Sequence, residues 1–365
     1  MIRLEHVVKY YGETIAVDDL SLEVGEGEVC VLIGPSGCGK TTTLRMINRL
    51  IEPTSGRIFI DGTDTSKIKP ELLRRSIGYA IQSVGLFPHM TVAANIGVVP
   101  ELVHWDKSRI AGRIEELLVL VGLNPKEYAQ KYPNQLSGGE AQRIGVARAL
   151  AADPPILLMD EPFGAVDPLT REKLQAQFVR IQQELKKTVV LVTHDLDEAI
   201  RLADRIAVME LGKIAQYDTP EAVLSKPVNK FVHDFVGTDR ALKRLSRINI
   251  QDVVRPAPSI AVSASLEDLA SALEGAQYVW VVAEDGRLMG WISRTSLSRA
   301  TSVKQAVVKG NVEEIAILNT ATLREALSRM LGQGFNSIPV VDGNGHLLGE
   351  VSLHDVEART AEVGA

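Results

Sequence analysis

Eight consecutive residues, Gly34-Pro35-Ser36-Gly37-Cys38-Gly39-Lys40-Thr41, constrain this chain more than any others. They fit the phosphate-loop pattern G-x-x-x-x-G-K-[ST]. Such a loop needs a strand to deliver the chain and a helix to carry it away. The apolar run Val29-Cys30-Val31-Leu32-Ile33 ends at Gly34, and a helical stretch opens at Thr41. Glycines let successive backbone N–H groups turn inward around an anion, and the helix start adds a favourable dipole. Lys40 is placed for the β- and γ-phosphates of a nucleotide and Thr41 for Mg²⁺, with Thr42 beside it as a further cofactor-binding candidate.

Two more apolar runs end in residues suited to the same chemistry. Ile156-Leu157-Leu158-Met159 runs into Asp160 and Glu161, and Val189-Val190-Leu191-Val192 runs into Thr193 and His194. Uninterrupted apolar strands imply a sheet buried on both faces, usually parallel. Helical stretches over 109–121 and 169–187 lie between such strands, so the expected fold class is α/β. Two carboxylates at the end of a buried strand are costly unless a cation or nucleotide engages them. Asp160 suits the metal, and Glu161 suits a general base toward an attacking water.

The chain has 365 residues, 45% hydrophobic and 24% charged, enough for two or three cores. Its net charge of −6 gives no general attraction to nucleic acid, and none is expected as a partner. The only cysteines, Cys30 and Cys38, are too close for a disulfide framework and read as reduced thiols. The opening Met1-Ile2-Arg3-Leu4-Glu5-His6 lacks the features of a signal peptide. No run of about 18 apolar residues follows, so a membrane role requires docking on another chain that spans.

The last third contains a repeat. Val281-Val282, Gly286, Leu288 and Gly290-Trp291-Ile292-Ser293 recur as Val340-Val341, Gly345, Leu347 and Gly349-Glu350-Val351-Ser352, shifted by 59 residues. Two helix–strand–turn–strand units are expected, neither able to bury its apolar face alone. The connecting stretch 237–252 is expected as a linker helix with Arg240, Lys243, Arg244 and Arg247 along one face.

Leu136-Ser137-Gly138-Gly139-Glu140-Ala141-Gln142-Arg143 resembles the signature motif of the ABC ATPases. The family's other elements stand in order: Tyr11 where an aromatic stacks on adenine, Gln82 at the Q-loop position, Asp167 at the D-loop position and His194 at the switch-histidine position. The resemblance covers about residues 1–235; Glu140 and Val166 depart from the common Gln and Leu. It implies ATP and Mg²⁺ as ligands, with Thr41, Gln82 and Asp160 on the metal, and Gln82 and His194 beside Glu161 in catalysis. It also implies a homodimer in which Ser137, Gly138 and Gly139 face the γ-phosphate bound by the other subunit. Taken alone, Ser-Gly-Gly also reads as a helix cap with a flexible lead-in.

Gly85-Leu86-Phe87-Pro88-His89-Met90-Thr91-Val92 is similar to the same stretch of importer subunits, and the repeated unit resembles tandem CBS domains. In CBS domains a Ser or Thr and an Asp three residues later contact ribose and phosphate. The second copy has both, as Ser352 and Asp355; the first has Ser293 but Ser296 in place of the acid. The implied ligand is an adenine nucleotide or cyclic dinucleotide. An exposed helix acid is the competing reading of Asp355. The implied domains are an ATPase over 1–236, the linker over 237–252 and a CBS pair over 253–360, divided at about 253–304 and 309–360. This combination resembles the ATPase subunits of glycine betaine, carnitine and choline uptake systems. It implies a peripheral protein on the cytoplasmic face of the cell membrane, with permease subunits as direct partners and a substrate-binding protein as an indirect one. An importer motor for an amino acid or polyamine is the alternative, and a nucleotide-gated regulator without transport is a second.

Overall fold

The computed structural model describes residues 1–81, 85–164, 166–274, 276–294, 302–308 and 312–361. Gln82 and Ser296 lie outside the described residues. The chain divides into two compact units, Met1–Gly237 and Thr238–Ala365.

Among the described residues the first unit has ten strands: β1 (Ile2–Tyr11), β2 (Thr14–Val24), β3 (Val29–Ile33), β4 (Ser55–Ile60), β5 (Thr63–Asp64), β6 (Ile77–Ala80), β7 (Ile156–Asp160), β8 (Thr188–Val192), β9 (Arg205–Glu210) and β10 (Lys213–Asp218). They form an antiparallel sheet in the order β2-β1-β4-β5 and a second sheet in the order β10-β9-β3-β8-β7-β6. In the second sheet, β9 through β6 run parallel. Every residue of β3, β7 and β8 is buried.

Alternation along these strands builds two cores. Val29, Val31, Ile33, Leu157, Met159, Val189 and Leu191 point into one apolar cluster, shared with the helices Val92–Leu102, Lys107–Leu120, Gly138–Leu150 and Pro168–Leu185. Their neighbours Cys30, Leu32, Ile156, Leu158, Val190 and Val192 point into the other. That second cluster is closed by Ile2, Leu4 and Leu20 of the antiparallel sheet and by Leu44, Met46 and Ile47 of the helix Lys40–Ile47. Period two sets this segregation, because successive side chains of a strand leave on opposite faces. Cys30 and Cys38 are both buried and free.

The second unit holds β11 (Ser259–Ala261), β12 (Tyr278–Val282), β13 (Leu288–Ser293), β14 (Ile317–Leu318), β15 (Ser337–Val341) and β16 (Leu347–Ser352). These make two three-stranded sheets, β11-β12-β13 and β14-β15-β16. Each has one parallel and one antiparallel pairing, and the registers superimpose: Tyr278 faces Ser293 as Ser337 faces Ser352, and Val281 faces Gly290 as Val340 faces Gly349. The copies are joined reciprocally. Leu288 N–H donates to Gly345 O at 3.0 Å, and Leu347 N–H donates to Gly286 O at 3.1 Å. Each copy also lends its lead-in segment to the other's last strand: Val308 N–H donates to Trp291 O and Arg255 N–H donates to Glu350 O, both at 2.9 Å. Gly290 and Gly349 admit this crossing, because a Cβ at either would collide with the carbonyl oxygen of Val308 or Arg255. Trp280 is fully buried and donates its indole N–H across the copies to Glu350 Oε2 at 2.8 Å.

The connecting segment differs from the expected linker. Its helix is short, Arg240–Leu245, and it belongs to the second unit. Leu245 and Ile250 are buried in one cluster with Leu323, Ala326 and Met330. The four basic residues do not share one exposed face: Arg244 is buried, Lys243 pairs with Asp239 at 2.8 Å, and Arg247 lies past the helix end. Apolar anchoring overrides the charge pattern here. Leu245→Ala is expected to cost about 2–5 kcal/mol, as large-to-small changes in cores do. Hydrogen exchange on the full chain should show lost protection in the helix Leu323–Gln333; unchanged protection would make the segment a plain linker.

Candidate functional site

Parallel pairing brings three strand ends to one level. Leu32 pairs with Val192 and Val192 with Asp160 across β3, β8 and β7. The ladder extends one step beyond the strands: Thr193 N–H donates to Leu32 O at 3.2 Å and Glu161 N–H to Val192 O at 2.9 Å. The phosphate loop, the two carboxylates and His194 therefore leave the sheet together.

Within the loop, Pro35, Ser36 and Gly37 are exposed at the tip, while Gly34, Cys38, Gly39 and Lys40 are buried. Gly39 is the N-cap of the helix Lys40–Ile47 with φ of 101°, a left-handed conformation that suits glycine. Gly34 lies so close to the next strand that a Cβ would collide with Met209 O. Lys40 Nζ donates to Gly34 O at 2.7 Å and Pro35 O at 2.9 Å, curling over the loop it serves. Thr42 lies half-buried on the first helical turn.

Asp160 is buried, and Thr41 donates its hydroxyl proton to Asp160 Oδ1 at 3.0 Å. Burial raises the Asp160 carboxyl above its usual range, and the Thr41 hydrogen bond and Arg45 oppose the shift. A buried carboxylate beside a hydroxyl is a hard oxygen donor pair that fits Mg²⁺, which takes one or two carboxylates plus substrate phosphates and water. Among the described residues there is no cluster of three or more His, Cys, Asp or Glu that could hold a metal. Arg45, one helical turn beyond Thr41, was not singled out from sequence; its i, i+4 spacing from the loop threonine was the available signal.

Glu161 follows β7 in a left-handed conformation, φ 46°, which is uncommon outside glycine. That turn brings Glu161 Oε1 to 3.4 Å from His194 Nδ1. Tyr11 is half exposed at the end of β1, with the Lys9 ammonium 5.3 Å from its ring centre.

The signature residues form a separate group. Ser137 is the N-cap of the helix Gly138–Leu150: its Oγ accepts from Glu140 N–H at 3.3 Å, while Glu140 Oε2 accepts from Ser137 N–H at 2.7 Å. Tyr128 donates to the same carboxylate at 2.6 Å and holds the Glu140 carboxyl below its usual range. Glu140, which departs from the common Gln, thus completes a capping box. Ser137 and Gly138 are exposed, and a Cβ on Gly139 would meet Thr170 and Val166. Asp167 caps the helix Pro168–Leu185 by accepting Thr170 N–H at 3.0 Å. Gly139 thus lies beside Val166 and Thr170, the residues flanking the Asp167 cap, while Thr41 meets Asp160 and Glu161 meets His194.

In the second unit, Ser352 and Asp355 sit together at the start of the helix Leu353–Ala361. Ser352 donates its hydroxyl proton to Asp355 Oδ2 at 2.7 Å, and Ser352 N–H donates to the same oxygen at 2.8 Å. Arg255 reaches both, 2.6 Å from Ser352 Oγ and 2.8 Å from Asp355 Oδ2. Asp355 is not a free surface acid; it caps a helix and pairs with an arginine from the other copy's lead-in.

A phosphate loop, an acidic strand end and a capped Ser-Gly-Gly helix on one α/β unit define an ATPase of the ABC transporter class. The ABC transporter family model matches residues 17–164, and the CBS domain model matches 250–302 and 311–359. The chain is 46% identical to the osmoprotectant import ATP-binding protein OsmV of Salmonella typhimurium, over 96% of this chain and 94% of that protein. It is 45% identical to the glycine betaine/carnitine/choline transport ATP-binding protein OpuCA of Bacillus subtilis, over the same shares. A bacterial ABC transporter cassette solved as a dimer is 36% identical with a TM-score of 0.56, covering 60% of this chain and 99% of that one. The chain belongs to the ATP-binding subunits of osmoprotectant-type ABC transporters, and it is an ATPase coupled to transport. No helix among the described residues is long and apolar enough to cross a membrane.

Gly34→Ala is expected to push the loop off Met209. Overpacking of this kind costs about 1–3 kcal/mol of stability, and with the loop displaced ATP should bind more weakly in equilibrium titration.

Proposed function

We propose that this chain powers import of a quaternary-amine osmoprotectant of the glycine betaine, carnitine or choline type. It works as a homodimer docked peripherally on the cytoplasmic side of an integral-membrane permease, and never touches the solute. The substrate class rests on the named relatives. The mechanism rests on one observation: Glu161 and His194 meet at 3.4 Å where the strand carrying the metal-suited Asp160 ends.

In this reading the loop N–H groups and Lys40 hold the β- and γ-phosphates, and Tyr11 stacks on the adenine. Thr41 and Asp160, with Gln82, would hold Mg²⁺, which would supply positive charge against the phosphates. Glu161 orients a water and takes its proton as the oxygen attacks the γ-phosphorus, and the bond to ADP breaks on the far side. His194 keeps the Glu161 carboxylate in place and reaches the γ-phosphate. Ser137, Gly138 and Gly139 close the site on the partner's nucleotide, with Asp167 beside them. The exposure of Ser137 and Gly138 supports a site built from two copies. Residues 1–236 are the motor and 253–360 the regulatory CBS pair.

Glu161→Gln should bind ATP yet hydrolyse it about 10²–10⁴-fold more slowly, and should collect as an ATP-bound dimer on a sizing column. Hydrolysis within about threefold of the native rate would remove Glu161 from the mechanism.

We propose further that Ser352 and Asp355 contact the sugar and phosphate of an adenine nucleotide or cyclic dinucleotide. Arg255, held against both, supplies a cation for phosphate. Calorimetry on the full chain with AMP and with cyclic dinucleotides should show binding that Asp355→Ala weakens about tenfold or more, the loss of one charge-assisted contact. No heat from either probe with the native chain would leave the pair without a nucleotide site.

A further inference from the structure

Glu198 is a buried acid that the hydrolytic scheme does not use. It lies on the helix Leu196–Leu202, whose N-cap is Asp195. Thr193 is buried too, and its hydroxyl donates to Glu198 Oε2 at 3.2 Å. The same hydroxyl oxygen accepts Asp195 N–H at 3.0 Å, and Asp195 Oδ1 accepts Glu198 N–H at 3.1 Å. These bonds close a ring around the turn that presents His194. The ring is fixed to the sheet, because Thr193 N–H donates to Leu32 O on the strand that feeds the phosphate loop. Glu198 Oε1 has no hydrogen-bond partner among the described residues.

We propose that Glu198 is a positioning residue for hydrolysis: through the Thr193 hydroxyl it fixes the turn 193–195 and so holds the His194 imidazole against Glu161. The inference rests on Glu161 and His194 acting as the hydrolytic pair. Truncating Glu198 or Thr193 breaks the ring while leaving the phosphate loop, Asp160 and the adenine contact in place. The effect belongs in turnover and not in ATP affinity.

The environment of Glu198 gives the role a pH signature. The charged groups facing it are Asp195 from the turn, Arg171 from the helix Pro168–Leu185 and Glu161 from the end of β7. Strand β3, packed against the same helix, carries no charged residue, and its Cys30 thiol, pushed up by burial, lies in the other apolar cluster. Burial pushes the Glu198 carboxyl up to about 8; the Thr193 hydrogen bond and Arg171 oppose this without overcoming it. In the unfolded chain the ordinary value is 4.5. The native state therefore keeps a proton that the unfolded state releases between those values. The resulting stabilisation is full below the unfolded value, falls as pH rises, and is gone above the folded one. At neutral pH the ring encloses a neutral acid. Above about pH 8 it encloses an anion that Asp195 and Glu161 repel.

The test is steady-state ATPase of the purified full chain from about pH 6 to about 9.5, with kcat and KM for ATP resolved. Native kcat should fall as pH passes about 8, and Glu198→Gln, which fills the same space and cannot ionise, should lack that limb. Glu198→Ala and Thr193→Val should each lower kcat about tenfold or more with KM for ATP unchanged. Thr193→Val carries the test if Glu198→Ala fails to fold. Superimposable pH profiles for native chain and Glu198→Gln would overturn the proposal, as would Thr193→Val raising KM at constant kcat. Near-native hydrolysis by Glu161→Gln would instead sink the hydrolytic pair itself, so the two failures are distinguishable.

Discussion

The register of β3, β8 and β7 is the constraint from which the rest of the first unit follows. Leu32, Val192 and Asp160 stand in one row, and every residue of the three strands is buried. A slip of one residue in any strand would exchange its cluster on one face for that on the other. Because that exchange is forbidden, the loop after β3, the turn after β8 and the carboxylates after β7 are fixed in relative height. Chemistry that needs atoms placed to a fraction of an ångström rests here on the least adjustable packing in the molecule.

The second unit reaches order differently. Its parts are small, and neither three-stranded sheet has enough neighbours to hide both faces. Repetition solves this by making each copy the other's missing layer. Trp280 and Leu288 from one copy meet Ile315, Ala316 and Val341 from the other in a shared apolar cluster. The indole N–H, which burial would otherwise leave unpaired, finds Glu350 of the neighbouring copy. Arg255 serves the same end on the polar side, arriving with its own copy's lead-in and engaging Ser352 and Asp355 of the other.

Features carried by local pattern were legible in the sequence. The three apolar runs became β3, β7 and β8, the 59-residue repeat reappeared in the strand registers, and the loop threonine met Asp160. What the sequence hid depends on residues far apart along the chain. Leu242, Leu245 and Ile248 read as the apolar side of a linker helix, but nothing local says that Leu323 and Met330 pack against Leu245. Asp355 was open between a nucleotide contact and a surface acid, and no local pattern gives a sign of Arg255, which crosses to it. Ser137 was open between a cap and an anion contact, and its geometry contains the cap while leaving the residue exposed. Glu198 sits four positions after His194, an ordinary helical acid by pattern; burial and the Thr193 hydroxyl are what set it apart.

The exchanged lead-ins also bear on how the chain is made. A nascent chain emerges from its N-terminal end, so β13 appears before Val308, the residue that covers its edge. During that interval the first copy shows an unpaired strand edge, the feature through which nascent chains associate wrongly. The second copy has no such gap, because Arg255, which pairs with its last strand, is already synthesised. Deleting one copy would strip the survivor of a strand partner as well as of an apolar layer.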